Sequence, residues 1–310
     1  MKKFEIVGIG NAIVDVISTC DDSFLDLMGI EKGIMQLVEK ERGETLYAAM
    51  ETRTQTPGGA VANTIAGIGA LGLKTGFVGK VRNDALGQFY AKSMNDTGIE
   101  FLNPPMDGSD VPTSRSMIFV TPDGERSMNT YLGISAELGS EDVQDEFGSA
   151  AKNVFLEGYL FDKDKGKEAF KRLSRSCRTG GGRAGIAISD PFCVERHRDD
   201  FFDLIKNELD YVIGNEAEIQ SLHQTEDTDA ALAQLSEICP LVVCTRSGDG
   251  VSAIKNGHRV DVSVETIVPV DATGAGDQFA AGFLYGILTD RDLETACRMG
   301  CISAGEVIRH

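Results

Sequence analysis

A carboxylate that follows a glycine-rich turn is the feature of this sequence best suited to chemistry. The segment reads Asp271-Ala-Thr-Gly274-Ala275-Gly276-Asp277 and leads into apolar residues with helical spacing. Unpaired amides in the first turn of a helix form an anion hole, and we expect those of Gly274, Ala275 and Gly276 to do so. Asp277, at its mouth, could take the proton of a hydroxyl that attacks a phosphoryl group. The same pattern would suit a structural helix start in which Asp277 only complements the dipole.

A second glycine-flanked helix start lies near residue 60. Gly58 and Gly59 precede apolar residues with helical spacing, and Asn63 falls in the first turn. The glycines permit close backbone approach, and the carboxamide of Asn63 with the carboxylate of Asp15 could hold the hydroxyls of a polyol. Alternatively, Asn63 makes a local capping bond and Asp15 is an exposed strand residue. Neither side chain alone decides between these interpretations.

Two polar segments directly follow predicted strands and therefore belong to the edge of the sheet where open α/β folds bind ligands. The residues concerned are Asn215 and Glu218 in one segment, and Thr245, Ser247, Gly248 and Gly250 in the other. A carboxylate such as that of Glu218 would reach Mg²⁺ through water, because this ion keeps much of its hydration shell beside substrate phosphates. Acidic residues are also common at helix starts, so Glu218 is informative only together with the other motifs.

Three other nucleotide-binding patterns are absent or out of context. No G-x-x-x-x-G-K-[ST] occurs, which excludes a P-loop. His197-Arg198-Asp199 begins like a protein-kinase catalytic loop, but Leu204 stands where that loop needs Asn and no Asp-Phe-Gly follows. Gly67–Gly72 matches G-x-G-x-x-G, yet it ends a predicted helix, whereas a dinucleotide fingerprint opens one. A dinucleotide oxidoreductase is therefore disfavoured.

Short β-branched runs alternate with helical-period segments, which predicts a parallel sheet covered by helices on both faces. The predicted strands are Phe4–Gly8, Thr75–Val78, Val154–Leu156, Gly185–Ser189, Tyr211–Ile213, Leu241–Cys244 and residues 266–270. The predicted helices lie near residues 60–72, 84–96, 164–177, 198–208 and 227–237, with a further one after Gly274. Residues 13–20, 33–38, 113–120 and 126–132 break this rhythm and predict antiparallel strands of a small sheet that closes over a site as a lid.

Composition limits the class of protein and of partner. The chain has 310 residues, and Lys+Arg 30 against Asp+Glu 48 gives a net charge of −18, which disfavours nonspecific binding to nucleic acid or an anionic membrane. The longest uncharged stretch, Thr54–Leu73, contains too much glycine, threonine and amide side chain to span a bilayer. The seven cysteines are scattered and no secretion signal opens the chain, so we expect a reduced, cytoplasmic setting.

Taken together, these motifs resemble those of the ribokinase-like (pfkB-type) carbohydrate kinases, over residues 4 to about 308. The matching motifs are Gly8-x-Gly10-Asn11 with Asp15, Pro57-Gly58-Gly59 with Asn63, Asn215-x-x-Glu218, Thr245-x-x-Gly248 and Asp271-x-x-Gly274-Ala275-Gly276-Asp277. The second and the last are specific family signatures. The resemblance implies a three-layer α/β/α sandwich with a mostly parallel central sheet and a small β-sheet lid. It implies one kinase domain over residues 1–310, with the lid contributed by about 13–38 and 110–133.

The resemblance also implies transfer of the γ-phosphate of ATP to a CH₂OH hydroxyl with the help of Mg²⁺. Asp277 would be the general base, and the amides of residues 274–276 would be the anion hole. The residues implied on the acceptor side are Asp15, Asn11, Gly58, Gly59 and Asn63, and those on the nucleotide side are Asn215, Thr245, Ser247, Gly248 and Gly250. Glu218 would hold Mg²⁺ through water, and Asp271 would support a monovalent cation, K⁺, as in many relatives.

Within this family, residues 10–15 and Gly124–Asn129 are more similar to the adenosine kinase branch than to ribokinase. This favours adenosine or a related nucleoside as acceptor, and it leaves open a ribokinase- or fructokinase-type sugar kinase and a non-catalytic nucleoside-binding protein. In this branch Arg126 would reach the transferred phosphate and Tyr159 would stack on a purine. A lid ion pair and a half-buried aromatic would look the same in sequence.

The sequence departs from the family pattern in two places. Phe192 follows Asp190 and Pro191 where many members have Asn, which leaves the role of Asp190 open. The sequence reaches residue 310 within or just after a helix, where relatives usually continue through a Gly-Ala turn and a closing helix. We therefore expect part of the adenine pocket and of the cation site to be missing, with Ser303 as the adenine-side candidate. The exposed lid edges are compatible with a monomer and with a lid-mediated homodimer.

Overall fold

The computed structural model describes residues 2–265 and 267–309, which form fourteen strands and eleven α-helices. The strands are β1 (Phe4–Ile9), β2 (Ile13–Thr19), β3 (Met35–Leu37), β4 (Thr54–Gly58), β5 (Thr75–Val78), β6 (Ile99–Phe101), β7 (Ser114–Val120), β8 (Arg126–Tyr131), β9 (Ala151–Glu157), β10 (Arg183–Ala187), β11 (Tyr211–Asn215), β12 (Leu241–Thr245), β13 (Val251–Lys255) and β14 (His258–Val262). The helices are α1 (Asp22–Met28), α2 (Lys40–Ala49), α3 (Ala60–Ala70), α4 (Ala85–Asp96), α5 (Asp145–Ser149), α6 (Asp164–Thr179), α7 (Pro191–Glu208), α8 (Glu216–His223), α9 (Thr228–Ile238), α10 (Ala275–Leu288) and α11 (Leu293–Val307).

A nine-stranded sheet occupies the centre of the molecule, with the strand order β14-β13-β12-β11-β10-β9-β1-β5-β6. Neighbours from β12 to β6 are parallel, and the β12–β13 and β13–β14 pairs are antiparallel. Buried side chains of α3, α4, α10 and α11 cover one face, and those of α6 to α9 cover the other. The predicted α/β/α sandwich with a mostly parallel sheet is confirmed.

Strand β1 shows why the central strands read as continuous apolar runs. Ile6 packs into the α3 and α10 layer while Val7 packs into the opposite layer, and both side chains are fully buried. The polar residues that end β9, β11 and β12 come together because carboxyl ends of parallel strands meet at one edge. That edge is therefore the place for a ligand site.

A second sheet of five strands, which we call the small sheet, has the order β3-β8-β7-β2-β4. The prediction that its strands are antiparallel is wrong for two pairs, because β2–β7 and β3–β8 are parallel. Only β7–β8 and β2–β4 are antiparallel. Between β2 and β7 the chain passes through the central sheet and returns in the same direction, whereas β7 and β8 are joined by a tight turn. Strand β4 was not among the predicted strands.

The segment before the glycine-rich turn is a further correction. Residues 267–270 form no strand, and Thr266 lies outside the described residues. The backbone amide of Val270 instead donates to the carbonyl of Ile308, at 2.8 Å. The apolar β-branched run therefore extends along the end of α11 and adds no strand to the sheet.

Two expectations about the setting can be compared with the structure. Within residues 2–265 and 267–309, no helix is both long and apolar enough to cross a bilayer. The uncharged stretch that begins at Thr54 consists of β4 and α3. All seven cysteines are free thiols, and burial raises the pKa of Cys177 to about 11.

The entry into α3 gives a test of backbone strain. Gly59 has a φ of 110°, and a Cβ there would lie 2.2 Å from the backbone oxygen of Asn11. Because backbone strain and overlap add, we expect Gly59→Ala to lower the free energy of unfolding by about 2–4 kcal/mol in urea titrations followed by circular dichroism. Gly98→Ala is the matched control, since Gly98 has a φ of 87° and open space around the added Cβ. Equal losses in the two variants would contradict the importance of the Asn11 contact.

Candidate active site

The first turns of α3 and α10 meet at the carboxyl edge of the central sheet. Asn63 Nδ2 donates to Asp277 Oδ2 at 2.9 Å, and Thr64 Oγ1 donates to the backbone oxygen of Asp277 at 3.1 Å. In return, the side-chain amide of Gln278 donates to the backbone oxygen of Asn63 at 3.3 Å. Asp277 is therefore fixed through both its side chain and its backbone, and Oδ1 remains available.

The amino terminus of α10 presents open backbone donors next to that carboxylate. Gly274 caps the helix with a φ of 77°, and the Ala275 amide is used by the carbonyl of Ala272 at 3.2 Å. Among the residues described, the amides of Gly276 and Asp277 have no acceptor. The space that a Cβ on Gly276 would occupy is also empty. Free amides and the helix dipole together make this turn a site for an anion.

Glu157, at the end of β9, is buried below these two helices and is only 1% exposed. It accepts hydrogen bonds from the backbone amide of Asn11 at 3.0 Å, from Asn11 Nδ2 at 2.7 Å and from the backbone amide of Val61 at 3.1 Å. Burial raises the pKa of Glu157, and these three donors oppose that rise. The carboxylate thus joins β9, the segment after β1 and the first turn of α3.

Asp15 and Asp277 share this acidic environment. The pKa of Asp277 is raised to about 7, mainly by burial and also by the negative charges of Glu157 and Asp15, against the lowering effect of the bond from Asn63. Burial likewise raises the pKa of Asp15 to about 7, while the positive charge of Arg126 lowers it. Both aspartates are therefore proton acceptors that change charge near neutral pH.

A cleft of about 170 Å³ extends from Asp277 across the carboxyl ends of β9 to β12. The predicted site residues on its wall are Tyr159, Asn215, Glu218, Thr245, Gly276 and Asp277. The two sequence motifs after β11 and β12 and the turn before α10 are thus brought together. This arrangement places a row of polar groups beside the free amides of α10.

Glu218 is held in this cleft by a reciprocal helix cap. Asn215 Oδ1 accepts the amide of Glu218 at 2.9 Å, and the Glu218 carboxylate accepts the Asn215 amide at 3.1 Å and Asn215 Nδ2 at 2.7 Å. The backbone amide of Ser189, a residue with a φ of 76°, also donates to this carboxylate. Burial still raises the pKa of Glu218 to about 7.

The small sheet lies near Asp277, because the charge of Asp15 on β2 acts on that carboxylate. Strand register places Asp15 beside Thr56 and Ser116 on one face. The next row on the same face is apolar and runs across the sheet through Ile17, Ile118, Met128 and Met35. Rows on one face of a strand are about 7 Å apart, so an apolar platform lies next to the Asp15 carboxylate.

One ion pair connects the small sheet to the turn before α10. Arg126 Nε lies 3.0 Å from Asp271 Oδ2, and Asp271 Oδ1 accepts the Thr273 amide at 2.8 Å. Both oxygens of Asp271 are thus engaged by partners in the protein. The prediction that Asp271 supports a monovalent cation stays a prediction.

Some predicted site residues do not reach the cleft. The Asn11 side chain is used internally, because its Nδ2 donates to Glu157 and its Oδ1 accepts from Ser135 at 2.8 Å. Ser303 packs against Gly282, so α11 turns this hydroxyl towards α10. Its neighbour Ile302 instead lines a separate cavity of about 350 Å³ between α11 and residues 262–265. Ser247, Gly248 and Gly250 form the turn between β12 and β13 and do not line the cleft.

Sequence reasoning missed two residues that hold the site together. Glu157 directly follows the predicted strand Val154–Leu156 and is not among the predicted site residues, although an acidic residue at the carboxyl end of such a strand could have marked it. Ser189 ends the predicted strand before Asp190, and nothing in its local sequence indicates a positive φ. Both contacts depend on the pairing of distant strands.

The donor set fits a magnesium ion that is carried mainly by a ligand. Among the residues described, no group of three His, Cys, Asp or Glu side chains could hold a metal. Glu218, close to the α10 amides, offers one carboxylate on the cleft wall. Mg²⁺ commonly takes one or two carboxylates together with water and substrate phosphates, which is compatible with this cleft.

Comparison with known proteins gives consistent matches over most of the chain. Residues 25–310 match the family described as pfkB family carbohydrate kinase. A 5-dehydro-2-deoxygluconokinase of Halalkalibacterium halodurans is 26% identical over 297 residues, which cover 93% of this chain and 89% of that protein. An adenosine kinase from Sinorhizobium meliloti is 43% identical, with a TM-score of 0.89. A probable sugar kinase from Rhizobium etli CFN 42 is 42% identical, with the same TM-score, and each of these two structures aligns over 99% of this chain and 94% of its own.

The raised pKa of Asp277 predicts how stability depends on pH. Between about pH 4 and pH 7 the native state keeps a proton that the unfolded chain releases, so this group's contribution to stability is lost as pH rises. Between pH 5 and pH 8 we expect the free energy of unfolding of Asp277→Asn, measured by urea unfolding, to rise by about 1–2 kcal/mol relative to that of the parent. Asp199→Asn, which changes an exposed carboxylate on α7, should keep the parent's pH dependence. A parallel pH profile for Asp277→Asn would contradict the burial argument.

Proposed function

Because the chain belongs to the pfkB family of carbohydrate kinases, we propose that it transfers the γ-phosphoryl group of ATP to the CH₂OH hydroxyl of a nucleoside, with adenosine as the preferred acceptor. The observation that carries the proposal is the hydrogen bond of 2.9 Å between Asn63 and Asp277 beside the free amides of α10. It joins a group suited to hold an alcohol, a base and an anion site in one small volume.

In the proposed reaction, ATP with Mg²⁺ supplies the γ-phosphoryl group when bound. Asp277 Oδ1 accepts the proton of the acceptor hydroxyl. At the same time, the hydroxyl oxygen forms the new bond to phosphorus, and the bond from phosphorus to the departing ADP breaks. The amides of Gly276 and Asp277 stabilise negative charge on the group in transfer. Asn63 keeps the carboxylate aimed at the cleft, and Asp15 accepts hydrogen bonds from acceptor hydroxyls.

On the nucleotide side, the proposal assigns Asn215, Thr245 and Glu218 to the triphosphate, with Glu218 reaching Mg²⁺ through water. Their support is their shared position on the cleft wall next to Gly276. Ser247, Gly248 and Gly250 would act through the turn that fixes Thr245. Arg126, once released from Asp271, would add positive charge near the transferred phosphate.

Three observations favour a nucleoside over a sugar acid such as the one named in the Halalkalibacterium enzyme. The apolar row through Ile17, Met128 and Met35 offers a flat surface for a base, next to the aspartate proposed to hold ribose. In addition, a carboxylate substrate would enter beside Asp15 and Asp277, while Arg126 is already paired with Asp271. Identity is also higher to the Sinorhizobium adenosine kinase than to the sugar-acid kinase.

A sugar kinase is the second candidate function. The Rhizobium protein named as a probable sugar kinase is nearly as similar to this chain as the adenosine kinase. The acceptor of a sugar kinase would need only the polar row of Asp15, Thr56 and Ser116, without the apolar platform. The two candidates therefore share one phosphoryl-transfer mechanism and differ in what the small sheet contacts.

Removing the proposed base tests the mechanism. We expect Asp277→Asn to lower kcat by at least about 10³-fold while the Kd for ATP changes less than threefold, because the amide keeps the bond to Asn63 but accepts no proton. In the parent, kcat/KM should rise with pH and level off above about pH 7, where the base is ionised. The assay is coupled ADP release, with Asp199→Asn as control. Turnover within tenfold of the parent would refute the assignment of Asp277 as base.

The acceptor preference can be measured separately. In ADP-release assays with adenosine, ribose, fructose and 5-dehydro-2-deoxygluconate, we expect adenosine to give kcat/KM at least about 100-fold above the others. Met128→Ala should raise KM for adenosine about tenfold by removing part of the apolar row, with little effect on kcat. Met106→Ala changes an exposed methionine outside the small sheet and should leave KM unchanged. A higher kcat/KM for either sugar would favour the sugar-kinase alternative, and ADP formation with none of the four would contradict both.

A further inference from the structure

A second cavity lies at the opposite edge of the central sheet from the cleft. Here the amino ends of β9 and β10 approach the carboxyl end of α10 and enclose about 360 Å³. Its wall includes Lys2, Asn153, Arg183, Ile287, Leu288 and Asp290. None of these residues belongs to the candidate active site, so this cavity is separate from the cleft.

Asn153 forms the polar floor of this cavity. The residue is only 4% exposed, yet its carboxamide has no hydrogen-bond partner among the residues described. Its polar atoms are not among the fully buried side-chain atoms without a partner, so they are open to the cavity that Asn153 lines and can bind a ligand there. Asn153 lies on the same side of the sheet as Phe155, which packs into the layer of α3 and α10. The Asn153 carboxamide therefore faces the cavity under the end of α10.

Arg183 stands directly beside this carboxamide. Strand register pairs Arg183 with Asn153, so the two side chains project from the same face of neighbouring strands, whose backbones lie about 4.8 Å apart. The Arg183 side chain is exposed, and it forms no ion pair or hydrogen bond within the described part of the chain. The guanidinium is therefore available to an anionic ligand in the cavity that Arg183 lines.

The remaining charges around the cavity define the ligand further. Lys2 donates to the carbonyl of Ser149 at 2.5 Å and forms no ion pair with a described residue, whereas Lys152 pairs with Glu5 at 2.7 Å. Asp290, on the far wall, also makes no ion pair with a described residue. The cavity thus offers two positive groups, a free carboxamide and one carboxylate. A compact anion that also carries hydroxyl groups would match all four.

We propose that this cavity is a binding site for a small organic phosphate. Arg183 and Lys2 bind the phosphate by charge-assisted hydrogen bonds, and Asn153 and Asp290 bind hydroxyl groups of the same molecule. The volume is within the lower part of the range for small-molecule sites. Asp290 disfavours a bare anion, so a sugar phosphate binds more tightly than inorganic phosphate.

The site is connected to the cleft by two rigid elements. Helix α10 carries Asp277 in its first turn and ends at Leu288 on the cavity wall, a length of about 21 Å. Strand β9 runs from beside the cavity to Glu157. Because the proposal uses none of the cleft residues, it is independent of the proposed function.

Isothermal titration of the full-length protein with ribose 5-phosphate and with inorganic phosphate tests the proposal. For Arg183→Gln we expect ribose 5-phosphate affinity at this site to fall by about 10- to 100-fold, with basal turnover unchanged. Arg291→Gln removes a neighbouring exposed positive charge that does not line the cavity, and it should bind like the parent. Any binding in the cleft is common to both variants and cancels in the comparison.

A second variant addresses the buried floor. Asn153→Asp keeps the shape but adds negative charge, so it should abolish binding of ribose 5-phosphate in any protein that still unfolds cooperatively on heating. If this variant fails to fold, Arg183→Gln decides alone. The proposal is overturned if the parent binds neither probe at 10 mM, or if Arg183→Gln and Arg291→Gln bind ribose 5-phosphate equally. It is also overturned if inorganic phosphate binds as tightly as the sugar phosphate.

Discussion

The burial of three carboxylates in one small volume is the constraint to which the rest of the site is adjusted. Asp15, Glu157 and Asp277 all have a pKa raised by burial, and for Asp277 the other two add repulsion. The protein compensates mainly with neutral donors, namely backbone and side-chain amides. Because the Asn63 amide stabilises the charge on Asp277 without cancelling it, Asp277 keeps a pKa of about 7, whereas for Asp15 the effect of burial is opposed by the charge of Arg126. A set of cations would have lowered the pKa and made Asp277 a poorer proton acceptor.

The proposed chemistry requires that α10 be held rigidly against α3. Helix α10 is packed between α3, the central sheet and α11, and the rings of Phe279 and Phe283 stack at a centroid distance of 6.0 Å. Both rings are buried, as is Ile65 on the facing helix. The two hydrogen bonds from α3 to Asp277 therefore connect elements whose positions are already set by packing. Such support is what keeps a reacting group within a fraction of an ångström of its working position.

Local patterns in the sequence predicted the parts of this architecture that depend on local physics. Alternating apolar strands and amphipathic helices predicted the layered sheet, and glycine next to a helix start predicted the turns at Gly59 and Gly274. The orientation of β2 against β7 could not be predicted, because it depends on the path that the chain takes through the central sheet between them. The role of Glu157 was hidden for a related reason, since its donors come from Asn11 and Val61, far away in sequence. Nonlocal pairing, which no short window contains, accounts for both failures.

The ion pair between Arg126 and Asp271 links the small sheet to the turn before α10, and its position has a consequence for the proposed reaction. Arg126 is partly exposed and Asp271 more buried, so solvent weakens their attraction and a more highly charged partner can compete for the guanidinium. A triphosphate arriving at the α10 amides is such a partner, because it brings several negative charges and bidentate geometry. If Arg126 exchanged Asp271 for phosphate, the link from the small sheet would pass to the nucleotide and the Asp271 carboxylate would be freed. Under the proposed function, the pair that joins the small sheet to the turn before α10 is thus one that the phosphoryl donor would replace.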